Sequence, residues 1–408
     1  MYIFKSLRYN HKIFSYKVIL SHITFILGFV CIFLVLTPIN HLDFYTHNKQ
    51  LLSFYETGFW RPNFLYYFFV AFLSGFSKNI LVLGKISALI MALAIYAKWI
   101  LTEKVSKSIF YANAHGFGIS GLSFLLLFVF SLPATYNNWY FGQISPNQWH
   151  NSTTILLMPI AIILFHHSYI YFFEDKNSSK YQVLWLSFIS VLIKPSFIFC
   201  LVPVVLVLGF FYSENKSGWV NKMGVFMPAI LLLLGQYVIL YLPHFKSAAI
   251  LSGEEGGVAF DFLHVWQHYS DNILLSLFLS VAFPIAVMIF YSKEVFKEKY
   301  FIFALSLSIM GVLIFACFTE TGRRQFHCNF IWQAIVANYL LYMVSIHLFI
   351  KSSCKLKNHK QYHVISLFKY YLNERQFKAL VVYSLFLLQC VGGLYYLLRM
   401  IFRNGSYA

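Results

Sequence analysis

The stretch YQVLWLSFISVLIKPSFIFCLVPVVLVLGFFY, residues 181–212, decides how this chain is read. It is apolar over more residues than the roughly 20 that one membrane-spanning helix needs, and it is interrupted at Lys194-Pro195-Ser196. Proline removes a helical N–H and collides with the preceding turn, and lysine is costly in hydrocarbon. The interruption therefore predicts the tip of a hairpin of two short helices. Basic residues stand at both ends of that hairpin, Lys180 on one side and Lys216 with Lys222 on the other. Outward from it, apolar runs recur at residues 18–37, 80–96, 119–132, 153–171, 224–241, 273–291, 301–318, 330–350 and 379–401. Backbone groups in lipid find no water partner, and the alternation of a β-barrel is absent, so these runs are helices. The expected fold is all-α: a single integral membrane domain over residues 1–408, a polytopic helical bundle of about eleven transmembrane helices.

Composition agrees. Charged residues make up 11% and hydrophobic residues 59% of the chain, against about a quarter charged in a soluble domain. The formal net charge of +17 raises the question of nucleic acid. Lys and Arg collect in cytoplasmic loops of membrane proteins, and no basic stripe interleaved with aromatics lies outside the spans. Membrane lipids are the expected surroundings, and no nucleic-acid partner is expected. The six Cys show no CxxC spacing and fall mostly in or beside apolar runs, which suits small buried hydrophobes better than a disulfide framework or metal site. No small-residue cleavage site follows the first apolar run; Asn40-His41-Leu42-Asp43 reads as continuing protein.

Sidedness follows from the basic residues. With Lys5, Arg8, Lys12 and Lys17 in the cytoplasm, roughly two thirds of the 31 Lys and Arg residues, Lys98 among them, fall inside. Residues 38–79 then form the first external loop. This requires residues 63–76 to be an interfacial helix, which their short length, Arg61-Pro62 before them and Gly75-Phe76-Ser77-Lys78 at their end support. Residues 242–272 form a further external loop whose Gly-rich start, Glu254-Glu255-Gly256-Gly257, marks a candidate lid. His264 and His268 lie four apart in it, without the HExxH pattern or a third ligand that zinc requires.

Four clusters fall on the outer side. Asp43 lies just after the first helix, where desolvation raises a carboxylate's pKa and suits it to general-base work; the competing readings are a solvated loop acid and a helix N-cap. Residues 136–151 are dense in amides and aromatics that suit sugar hydroxyls and ring faces, and an aromatic-belt loop is the alternative. Lys194, at the hairpin tip, offers a compact ammonium for a phosphate, unless it merely snorkels. Arg323 and Arg324 run against the inside preference of basic residues. An anionic lipid phosphate or pyrophosphate would explain them, as would an ion pair with Glu320.

In this order the features resemble the GT-C superfamily of integral-membrane glycosyltransferases that use polyprenyl-phosphate sugars, and most closely its bacterial polyprenyl-phosphate-mannose-type branch. The resemblance rests on Asp43 in His-Leu-Asp-Phe-Tyr after the first helix, on surface helices across residues 48–76, on Gly142-Gln143-Ile144-Ser145-Pro146-Asn147, and on the Lys194-Pro195 break. It covers residues 1–350. It implies a multi-pass enzyme of the bacterial inner membrane with its active site on the extracytoplasmic face. The donor is a polyprenyl-phosphate-linked sugar, and the acceptor a lipid-linked or cell-surface glycan. Asp43 would deprotonate the acceptor, with His47 orienting it. Gln143, Asn147, Trp149 and His150 would position the sugars, and Lys194, Arg323 and Arg324 would hold the departing phosphate. Some members pair two acidic residues or bind a metal; here Asp43 has no acidic neighbour. Direct displacement with inversion, without metal or cofactor, is therefore expected. A polymerase or ligase acting on pyrophosphate-linked glycan would rely on Arg323 and Arg324 instead. A transporter or flippase would place polar residues deep in several helices.

Overall fold

The computed structural model describes residues 16–39, 42–110, 117–133, 142–241, 257–355, 364–367 and 370–402. Among them, eight helices are long and apolar enough to cross a bilayer. They include α1 (Tyr16–Leu36), α4 (Ile80–Phe110), α6 (Ser152–Phe173), the joined α9 (Lys216–Met223) and α10 (Met227–Tyr241), α12 (Ile273–Phe290), α13 (Lys299–Cys317), α14 (Trp332–Lys355) and α15 (Glu374–Phe402). The other apolar runs form the shorter α5 (Phe117–Leu125), α7 (Lys180–Ile193) and α8 (Ser196–Tyr212). The chain is an all-α polytopic helical protein. Two short antiparallel ladders are its only described strands; one pairs β1 (Val258–Phe260) with β2 (Phe318–Glu320).

Helix α14 is the axis. Of its most apolar 18 residues, 94% are buried. It packs closely on α13, where a Cβ on Gly311 would stand 2.7 Å from the Ala334 Cα. In a helix so enclosed, partners for the polar side chains come from neighbouring helices. Asn338 accepts from Ser308 Oγ at 2.5 Å, and Thr102 shares a 2.7 Å hydrogen bond with Tyr339.

The hairpin forms as expected. Lys194, the extended residue that ends α7, reaches Asn151 and Thr154 where α6 begins. At the other extreme, Trp219 of α9 donates to the Val205 carbonyl of α8 at 3.0 Å, and its ring lies 5.3 Å from Phe172 at the end of α6. Helices α7 and α8 therefore run antiparallel, with Lys194-Pro195 at the Asn151 end.

The connection between α1 and α4 carries α2 (Asp43–Thr57) and α3 (Leu65–Leu73). At nine residues, α3 is roughly 13 Å long and cannot cross a bilayer. It buries Tyr66, Tyr67, Val70 and Ala71 and exposes the apolar Phe68, Phe69, Phe72 and Leu73. Ser87 ties both to the first turns of α4, donating to Asn48 Oδ1 at 2.9 Å and accepting from the Tyr66 hydroxyl at 3.1 Å. The segment thus leaves and re-enters at one end of the bundle.

Two expectations need correction. Residues 119–132 do not make one helix. After Leu125 the chain tightens through a 3-10 turn at Leu126–Phe128 and continues extended and buried. Its backbone is satisfied by other helices: the Phe130 N–H donates to the Gln389 carbonyl at 3.0 Å, and that of Leu132 to the Leu279 carbonyl at 3.2 Å. Helix α12 is irregular there: Val281 is non-helical (φ −125°), and Pro284, which has no N–H, leaves the Ser280 carbonyl to accept from the Tyr342 hydroxyl at 2.7 Å. Extended backbone at membrane depth is tolerated when protein covers it in this way. Lys98, assigned above to a cytoplasmic loop, is instead 3% exposed within α4, roughly 16 Å along the helix from Ser87.

Candidate functional site

Four helix starts meet at the Lys194 end of the bundle. Asp43 opens α2. The capping position is Leu42, with no side-chain cap, so Asp43 is not the N-cap. Its Oδ2 accepts a 2.6 Å hydrogen bond from Asn151 Nδ2. Asn151 is itself the N-cap of α6: its Oδ1 accepts from the Thr154 N–H and the Thr153 hydroxyl, both at 3.0 Å, and from Lys194 Nζ at 3.0 Å. Because Oδ1 faces only donors, the amide can turn only its N–H toward Asp43. One side chain thus faces the acid and the cation together.

Lys194 also donates to Thr154 Oγ1 at 2.8 Å and stands 4.0 Å over the Trp332 ring at the start of α14. Arg324 pairs through Nε with Glu320 Oε2 at 3.3 Å, so the competing ion-pair reading holds; its charge nevertheless acts on Lys194, as does that of Asp43. Arg323 sits on the same 3-10 segment (Gly322–His327), and its side chain lies outside the described residues.

The hydrogen bond to Asp43 comes from Asn151, while His47 lies one turn beyond Asp43 and feels its charge. Its Nδ1 bonds the Tyr67 hydroxyl at 2.6 Å, and that hydroxyl donates to Gln50 Oε1 at 2.7 Å, so Nδ1 is the donor and Nε2 the unprotonated nitrogen. Burial pushes the pKa of His47 down to about 4; Asp43 pulls upward, and Lys194 and Arg61 add to the depression. His47 is therefore neutral at pH 7. Once exposed it would titrate near 6.5, so its share of stability is complete above that value and shrinks as pH falls toward 4. Thermal unfolding of the solubilised protein should show that loss between pH 6.5 and 4, and His47→Asn should flatten it. His150 bonds the Tyr396 hydroxyl through Nδ1 at 3.0 Å, and the charges of Asp43 and Lys194 reach it as well.

Of the residues singled out from the sequence, Asp43, His47, His150, Lys194 and Arg324 come together. Gln143, Asn147 and Trp149 lie deeper along the same connection. Gln143 donates to the Leu132 carbonyl at 2.9 Å, and among the described residues its buried Oε1 has no hydrogen-bond partner. Asn147 donates to the carbonyls of Leu126 (2.8 Å) and Val129 (2.7 Å) and accepts from Lys98. Trp149 is packed between Phe29 and Phe128. Residues 40, 41, 134–141 and 242–256, which hold much of the aromatic cluster and the start of the candidate lid, lie outside the described residues. His264, the first residue of α11 (His264–Tyr269), pairs with Asp261 at 2.6 Å, beside the β1–β2 ladder.

Sequence reasoning missed that Asn151 joins Asp43 to Lys194 and that the charge of Arg61 reaches His47. The signal for Asn151 was Asn ahead of Ser-Thr-Thr and an apolar run, an N-cap pattern. Arg61 gave none beyond its place beside Pro62. Asn151→Ala should destabilise α6 by about 1 kcal/mol through the lost cap and should lower activity more than stability, since it frees both Asp43 and Lys194. Thermal unfolding and a turnover assay on one preparation check this.

The chain matches no family model, no curated protein and no solved structure. Among the described residues, no group of three or more His, Cys, Asp or Glu is placed to hold a metal ion. What the arrangement offers is the Asp43 carboxylate, able to accept a proton, beside Lys194, able to hold an anion, with the Glu320-paired Arg324 near enough for its charge to reach Lys194.

Proposed function

We propose that the chain is a GT-C-type glycosyltransferase of the bacterial inner membrane with its site on the extracytoplasmic face. It transfers a sugar from a polyprenyl-phosphate donor to a hydroxyl of a lipid-linked or cell-surface glycan. Asp43 takes the acceptor proton as the oxygen attacks the anomeric carbon. The bond to phosphate breaks on the opposite side, with inversion and without a metal. Lys194, Arg324 and Arg323 stabilise the charge that develops on the departing phosphate. His47 and His150 stand within the same electrostatic neighbourhood, and Trp332 offers a ring face next to the ammonium.

One observation carries this reading: Asp43 and Lys194 share the two ends of the Asn151 amide. A base and an anion holder fixed to one group are what a displacement with an anionic leaving group needs. In cells lacking the protein, mass spectrometry should find the polyprenyl-monophosphate sugar and an unextended acceptor accumulating. Unchanged lipid pools would contradict the proposal. Lys98 favours a second reading, a transporter or flippase, because it buries an ionisable side chain within the bundle. Cysteine replacing Lys194 would then be labelled from both sides of the membrane, whereas the transferase predicts labelling from one.

A further inference from the structure

Lys98 has no place in the chemistry above, yet it is buried in mid-helix, where a cation is destabilising unless something compensates it. Among the described residues no carboxylate pairs with it. Its Nζ donates to Asn147 Oδ1 and lies 3.7 Å over the Tyr339 ring, whose hydroxyl is bonded to Thr102. With Oδ1 so engaged, Asn147 turns both amide protons to the carbonyls of Leu126 and Val129, at the point where α5 gives way to extended chain. Trp266 donating to the Gly142 carbonyl at 3.0 Å and a 2.6 Å bond between Ser131 and Ser145 also hold the same connection, and Ile144 is tied through both of its backbone groups. Ile144 N–H donates to Ser280 Oγ at 2.9 Å, and Asn338 donates to the Ile144 carbonyl at 2.7 Å. Four residues beyond Asn147 the connection ends at Asn151, the amide that faces Asp43 and Lys194.

We infer that Lys98 is a positioning residue: through Asn147 it fixes the connection of residues 142–151, and so holds Asn151 in register with Asp43 and Lys194. The inference rests on the proposed transferase reading. Lys98 touches neither reacting group. A hydrocarbon side chain there would pack as well but would leave Asn147 Oδ1 unpartnered and free to rotate out of its bonds to the 126–129 turn. The tie to Asn147, rather than the charge, is what matters, so a neutral side chain that still donates to Asn147 should serve.

The test compares Lys98→Met and Lys98→Gln with Asp43→Asn as reference. Each is purified in nanodiscs and assayed with a polyprenyl-monophosphate sugar, with rates normalised to folded protein. K98M should lose about tenfold or more in kcat while donor KM stays within about twofold, because the anion holders remain and their alignment with the base does not. K98Q should keep kcat within about threefold of the unaltered protein. A purely structural role would reduce the yield of folded K98M without changing its kcat. Unchanged kcat in K98M, or equal losses in K98M and K98Q, overturns the inference. If K98M gives no folded protein, Lys98→Thr replaces it. Thr is too short to reach Asn147, and kcat equal to that of K98Q again overturns it. Asp43→Asn at full activity would overturn the transferase reading and this inference with it, whereas an inactive D43N with a fully active K98M would remove this inference alone.

Discussion

Asp43→Asn is expected to lower sugar transfer by roughly 10²–10⁴-fold, the range for loss of a positioned general base. Asparagine keeps the size of the side chain and an oxygen for Asn151 Nδ2, so the α2–α6 contact survives and thermal stability should barely move. Donor binding should survive too, because Lys194 keeps its bonds to Asn151 and Thr154. The expected signature is a collapsed kcat with nearly constant donor KM, read from initial rates across a donor titration. If Arg324→Ala were severe and Asp43→Asn mild, the polymerase or ligase alternative would gain.

Gly393→Ala should be the most disruptive single methyl in the fold. Helix α15 presses Gly392-Gly393 against the extended chain after α5, and a Cβ on Gly393 would collide with the Phe128 carbonyl oxygen. The obstacle is backbone already engaged in packing, so the usual escape by side-chain rotation is closed. The cost should be at least about 3 kcal/mol, the upper end for overpacking. The neighbouring Gly392→Ala is the control, because its Cβ would meet the Ser131 carbonyl at an ordinary 3.4 Å. Thermal unfolding in detergent should separate the two clearly. Activity per folded molecule should fall in G393A as well, since the displaced turn is the one Asn147 holds.

Much of this was legible in the sequence, for identifiable reasons. Lys194-Pro195 announced a hairpin tip because both residues are incompatible with a continuous helix in lipid, one through charge and the other through its missing N–H. The short aromatic run after Arg61-Pro62 announced a helix that does not span, because nine helical residues cannot reach across hydrocarbon. Residues 119–132 misled because apolarity reports burial, not helicity; the extended part is buried in protein, and its hydrogen bonds come from Gln389 and Leu279, far away in sequence. Lys98 misled for a related reason. A count of basic residues sees charge but cannot see that Asn147, 49 positions on, folds back to meet it. Within the site, residue types announced Asp43 and Lys194, while the link between them, Asn151, looked like an ordinary helix cap.

The most direct measurement is transfer by the purified chain in lipid nanodiscs, in the presence of EDTA, with a polyprenyl-monophosphate sugar and separately with the corresponding pyrophosphate-linked glycan, the anomeric configuration of the product being read by NMR. The account predicts transfer from the monophosphate donor, inversion at the anomeric carbon and indifference to the chelator. Transfer from the pyrophosphate donor alone, retention of configuration, or no transfer from either donor would contradict it.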